Sequence, residues 1–157
     1  MNVTIEYMIL IPVLILQIFL FPMFTNVVMT HWENDQRTLG LQEAASYVSS
    51  SIQQIYLSLN HTSILSCTLT SSLGSNPLID GYIYTANATL QAGSGSSSSK
   101  VLDVNISLVG LDLSTTSLVT LGQNVAWENS TFKSDASNAC IIAQKLPNQI
   151  IKLSFGT

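Results

Sequence analysis

Apolar residues follow one another along this chain in three patterns. The first is continuous: Tyr7 to Phe24 (YMILIPVLILQIFLFPMF) holds one strongly polar side chain, Gln17, and no Asp, Glu, Lys or Arg occurs from Tyr7 to Trp32. Eighteen such residues reach the lower bound for a membrane span. The second pattern is helical. Leu41, Ala44, Ala45, Val48, Ile52, Ile55, Tyr56 and Leu59 recur in steps of three and four, the stripe of an amphipathic helix, with Ser49, Ser50, Gln53 and Gln54 assigned to the other face. The third alternates with period two, the signature of half-buried strands. It is clearest in Leu102, Val104, Ile106 and Leu108, and is repeated in Leu65, Cys67 and Leu69, in Tyr82, Tyr84, Ala86, Ala88 and Leu90, and in Ile151, Leu153 and Phe155. Val119 to Leu121 and Val125 to Trp127 are further candidate strands.

These patterns predict an α+β fold. A long N-terminal helix occupies residues 1–59, and a small antiparallel, β-sandwich-like domain occupies residues 60–157. If Thr4 to Leu59 is one helix, it is ~84 Å long at 1.5 Å per residue, far beyond the ~30 Å of bilayer hydrocarbon, so its outer half must lie on protein. Pro12 and Pro22 each remove a backbone donor and should bend or open the helix, freeing the carbonyls of Met8 and Ile18. Gly40 is a further weak point. Turn chemistry separates the strands at Gly74-Ser75-Asn76-Pro77, Asp80-Gly81, the Gly93 to Ser99 run and Asp135 to Asn138.

Composition sharpens this picture. Only 9% of the 157 residues are charged and 46% are hydrophobic, yet Ser and Thr together fill 36 positions, all but a few of them after the apolar segment. Five basic residues stand singly against nine acidic ones, for a net charge of −4, which excludes electrostatic binding of nucleic acid. The flanks of the apolar run do not fit a cleavable secretory signal: MNVTIE precedes it, without a basic region, and Pro22-Met23-Phe24 closes it. A plain single-span anchor explains the hydrophobicity but leaves Glu6, Pro12 and Pro22 without a role. A carboxylate at the end of a span calls for a partner.

Cys67 and Cys140 are the only cysteines, and Cys67 has the inward parity of its strand. We expect them to pair, which would stabilise so small a domain by ~4 kcal/mol on the chain-entropy model and place it in an oxidising compartment. Two buried free thiols are the alternative. Five N-glycosylation sequons begin at Asn2, Asn60, Asn87, Asn105 and Asn129, where two or three would arise by chance from eleven asparagines. Parity puts Asn87 and Asn105 on outward strand faces, and Asn60 and Asn129 fall beside element ends. N-linked glycans there would hydrate a surface poor in charge, whereas Asn2, beside the apolar segment, is expected to go unused. A plain polar Ser, Thr and Asn surface is the alternative.

Catalytic chemistry finds little to work with. His31 and His61 are the only histidines, 30 positions apart, which leaves no basis for a metal site or a His-based triad. The GSGSSSS run lacks the strand-to-helix context and the Lys of a phosphate-binding loop, so it is a flexible connection. Asp103 and Asp112 have no metal-ligand spacing. We expect no catalytic residues, no metal and no cofactor beyond glycans.

Glu6 at the mouth of the apolar run, Tyr7 behind it, Pro12 six positions on and an amphipathic continuation together resemble the N-terminus of type IV pilins, in particular archaeal pilins and tight-adherence minor pilins. The likeness covers residues 2 to 59. It implies a subunit that spans the membrane as a single helix with its domain outside, is processed by a prepilin peptidase, and is drawn by pilus assembly machinery into a helical homopolymer built on the N-terminal helices. Glu6, Tyr7, Pro12 and Pro22 would be the assembly residues. The Glu6 carboxylate would be met by the terminal amine of its own or a neighbouring subunit and so set axial register, the alternative being a Glu that snorkels at the headgroups. Glu is normally the fifth residue of the mature family chain and here is the sixth, so either Met1 belongs to a leader or the register is shifted by one. The implied role is surface adhesion or cell contact through an extracellular filament. A minor or priming pseudopilin and a monomeric membrane-anchored binding domain are the alternatives.

Overall fold

The computed structural model describes residues 3–61, 63–73, 78–91 and 99–156, and side chains from residue 7 onward. It has one long N-terminal helix, α1 (Val3–Leu59), followed by two β-sheets. The chain divides into two compact units, residues 1–36 and 37–157. The helix ends at residue 59, but the unit boundary lies near residue 36 because the second part of α1 supplies core to the β-domain.

That core is built as the spacing predicts. Leu41, Ala44, Ala45, Val48, Ile52, Ile55, Tyr56 and Leu59 are all buried, so the helical stripe is one wall of the β-domain interior. One residue departs from its assigned face. Ser49 is buried, and among the described residues its hydroxyl has no hydrogen-bond partner, whereas Ser51 and Ser58 on the exposed side return theirs to the carbonyls of Tyr47 and Gln54. A buried hydroxyl without a partner costs about 1–3 kcal/mol of desolvation. Ser49→Ala should therefore raise the thermal midpoint of the second unit; a fall on calorimetry would mean that the hydroxyl has a stabilising role.

The first sheet has the order β1 (Cys67–Ser72), β8 (Cys140–Lys145), β9 (Ile151–Gly156) and β6 (Val125–Trp127). The second runs β2 (Leu78–Ile79), β3 (Tyr82–Gln91), β4 (Lys100–Leu108) and β5 (Ser114–Leu121), with β7 (Thr131–Lys133) also on β3. All pairings are antiparallel except β6 with β9. The inward residues of β3, β4 and β9 are those of the period-two pattern: Tyr84, Ala86 and Ala88; Leu102, Val104, Ile106 and Leu108; Ile151, Leu153 and Phe155. Edge-to-face rings link the two sheets. Tyr84 meets Phe132 of β7 at 6.3 Å, Phe132 meets Phe155 of β9 at 4.9 Å, and Phe155 meets Trp127 at 5.0 Å.

The strand expected around Leu65, Cys67 and Leu69 is weaker than its alternation implies. It starts only at Cys67, Leu65 is 72% exposed before it, and Leu69 is exposed on the edge strand β1. The sheet order explains why: Leu69 faces the buried Ala143 on one side only, because β1 is the outermost strand of its sheet.

Candidate assembly and membrane-spanning segment

The described part of the first unit, from Val3 on, is helix, and every residue from Tyr7 to Trp32 is exposed, including 19 large apolar side chains. Single exposed apolar residues are ordinary, whereas a contiguous surface of this kind marks contact with lipid or with other protein. The segment is long and apolar enough to cross a membrane. Two of its polar groups suit either environment: the Thr25 and Thr30 hydroxyls donate to the carbonyls of Phe21 and Asn26 at 2.8 Å, so neither asks for water. Pro12 and Pro22 stand inside α1, which continues through both. Glu6 also belongs to α1, with its side chain outside the described residues, and Tyr7 follows it, 60% exposed.

Where the second unit begins, the tip of the β2–β3 hairpin holds α1. Asp80 (φ 50°) and Gly81 (φ 80°) form a two-residue turn between paired Ile79 and Tyr82, with the positive φ at both positions that such a hairpin requires. The Arg37 guanidinium, 14% exposed, donates to Asp80 Oδ2 at 2.8 Å and lies 5.2 Å over the Tyr82 ring. One turn on, Gly40 is not a break in the helix. It is the seat of Ile79: a Cβ at Gly40 would stand 2.8 Å from Ile79 Cγ2. The sequence marked Gly40 but not Arg37, whose one available signal is that it is the only arginine in the chain.

At the other end of the helix, Lys145 is 2% exposed and donates from Nζ to the His61 carbonyl at 2.9 Å. α1 has no basic residue in its last turn, so β8 supplies the cation that its negative C-terminal end favours. Beside it, the Asn60 side-chain oxygen accepts from Asn124 Nδ2 at 3.0 Å, while Asn124 Oδ1 accepts from the Tyr56 hydroxyl at 3.3 Å.

The two cysteines are free. In the β1–β8 register Cys67 stands opposite Lys145 and Cys140 opposite Ser72, five residues apart along the ladder. At ~3.4 Å per residue that is about 17 Å, against the ~7 Å beyond which Cα atoms cannot be bridged. They also lie on different faces. Cys67 shares the inner face with Ala143 and Lys145, whereas Cys140 has the opposite parity and its Sγ lies over Gly156, its neighbour on β9. The expected Cys67–Cys140 disulfide is therefore absent, and the inference of an oxidising compartment drawn from it falls too. Reducing agent should leave the thermal midpoint unchanged, and two thiols should titrate with a chromogenic disulfide on denaturation; loss of both thiol signals in the monomer would contradict this geometry.

The sequon parity holds. Asn87 is exposed on the outer face of β3 and Asn105 half-buried on that of β4, with Nδ2 directed to Thr116 Oγ1 at 3.4 Å. Asn129 is exposed between β6 and β7, Asn60 is exposed at the end of α1, and Asn2 lies outside the described residues. So do the Gly74 to Pro77 turn and most of the Gly93 to Ser99 connection. Among the described residues, no group of three His, Cys, Asp or Glu side chains could hold a metal ion. No family model, curated protein or solved structure matches the chain.

Proposed function

We propose that this chain is a structural subunit of an extracellular type IV-like filament. It would span the membrane through the first part of α1 until assembly machinery packs its helices into a homopolymer for surface adhesion or cell contact. The observation that carries the reading is the division of labour along one helix. Residues 41–59 spend their apolar face on their own domain, and residues 7–32 leave theirs wholly uncovered. That uncovered stretch is about 39 Å of helix, more than the ~30 Å of hydrocarbon a simple anchor must cross. Neighbouring helices in a filament core would cover the whole of it. They would also surround Pro12 and Pro22, whose missing donors leave carbonyls that neighbouring side chains or adjusted local geometry must satisfy. The resemblance around Glu6 supplies the filament type, and with it processing by a prepilin peptidase.

Electron microscopy of material sheared from expressing cells, labelled with antibody to the β-domain, tests the proposal. Labelled filaments along their length are expected. Label at filament tips alone would identify a minor or priming subunit. A protein recovered only as dispersed detergent-solubilised monomers, with no labelled filament, would mark it as a membrane-anchored domain and overturn the reading.

A further inference from the structure

Three of the five sequons meet on one line across the outer face of the second sheet. Thr131, the last residue of the Asn129 sequon, pairs with Asn87; Asn87 pairs with Asn105; Asn105 pairs with Thr116. The row crosses β7, β3, β4 and β5. Asn87 and Asn105 lie 18 positions apart in sequence, yet their Cα atoms are direct cross-strand neighbours, ~4.5–5.5 Å apart, with side chains rising from the same face. A hexopyranose with its hydroxyls and hydration fills that gap. Two sugars rooted there would displace each other's water and splay apart over their own strands.

The two asparagines are not equivalent. Asn87 is exposed, whereas Asn105 is half-buried with Nδ2, the atom that would carry the sugar, hydrogen-bonded to Thr116. We propose that the Asn87–Asn105 pair in this row is a modification site for a single N-linked glycan, carried by Asn87, whose presence excludes modification of Asn105. In the transfer, Asn87 Nδ2 forms a bond to the anomeric carbon of a lipid-phosphate-linked oligosaccharide. The bond from that carbon to the phosphate oxygen breaks, the lipid phosphate leaves with the electron pair, and the amide releases one proton. Asn129 is two residues along the chain from the paired Thr131 and is not excluded by the same contact. The inference rests on the proposed placement of the β-domain outside the cell, where such donors act.

The chain itself allows a direct test. No glutamate lies between Glu43 and Glu128, so cleavage after glutamate leaves Asn87 and Asn105 on one fragment, residues 44–128. In protein purified from its own cells and carrying Thr62→Ala, which removes the Asn60 sequon, the fragment mass should show one glycan, mapping to Asn87. Adding Thr89→Ala, which silences the Asn87 sequon and keeps its asparagine, should leave one glycan and move it to Asn105. Fragments with two glycans, bare fragments, a glycan on Asn105 with Asn87 unmodified, or an Asn105 that stays bare in the Thr89→Ala protein would each overturn the proposal. Microscopy of the same cells separates this from the filament reading: glycosylated subunits that never polymerise leave the row assignment standing, and unglycosylated filaments refute it alone.

Discussion

Ile52→Ala should destabilise the second unit by about 2–5 kcal/mol, a large part of the 5–15 kcal/mol typical of a whole domain. Ile52 is fully buried at the middle of the helical stripe, with Val48 and Ile55 on the adjoining turns and the inner faces of both sheets sharing the same core. Truncation removes three carbons' worth of burial and leaves a cavity that stiff β-strands cannot close. For a unit of this size the thermal midpoint should fall by roughly 10 °C or more, measured by circular dichroism of the detergent-solubilised protein. The control lies on the same helix. Phe19 is larger but 74% exposed, and Phe19→Ala should leave that midpoint within the spread of surface substitutions, about 0.5 kcal/mol. Equal effects from the two variants would contradict the division of α1 between a solitary segment and a domain core.

The second large effect concerns assembly. Under the proposed function Glu6 enters a helix-packed filament core, and its carboxylate is compensated there by a terminal amine. Breaking a buried pair by deleting one partner costs about 3–5 kcal/mol, a hundredfold or more in association, because the other charge stays buried and unmatched. Glu6→Ala should therefore reduce surface filaments to traces while the protein still fractionates with membranes and its β-domain keeps its thermal midpoint. Glu6→Gln keeps the shape and hydrogen-bonding capacity and removes the charge; failure of this variant too assigns the effect to the ion pair. Normal filament yield from Glu6→Ala would remove the register role. Loss of membrane association would move Glu6 into insertion instead.

Several features were legible in the residues because they are local. The stripe from Leu41 to Leu59 and the alternation in β3, β4 and β9 are repeats of helix and strand geometry, and burial follows them almost residue by residue. Other elements were hidden by side chains that contradict their position. β8 is not apparent from its sequence because its inward positions are Ile141, Ala143 and Lys145, with Ile142 on the other face; a buried lysine and an outward isoleucine erase the period of two. β5 is longer than Val119 to Leu121 because Thr115 and Ser117 occupy inward parity at its far end, opposite Ile106 and Val104. Ser49 fails on the helix for the same reason: a polar side chain faces the core.

The sequence by itself determined that an uncharged apolar segment leads into an amphipathic helix and then into alternating strands, and therefore the α+β architecture. It also set the outward parity of Asn87 and Asn105. Only the tertiary structure decided which residues distant in the chain share a strand ladder. Strand order and register depend on pairings between segments that no local period encodes. The β1–β8 ladder put the two cysteines on opposite faces and cancelled the bridge that their number had implied. Pairings of β3 with β4 and β7 turned three scattered sequons into one row, and the hairpin at Asp80-Gly81 gave the lone arginine its partners. What covers Tyr7 to Trp32 is a matter for the chain's surroundings, because nineteen large apolar side chains of that segment stand exposed among the described residues.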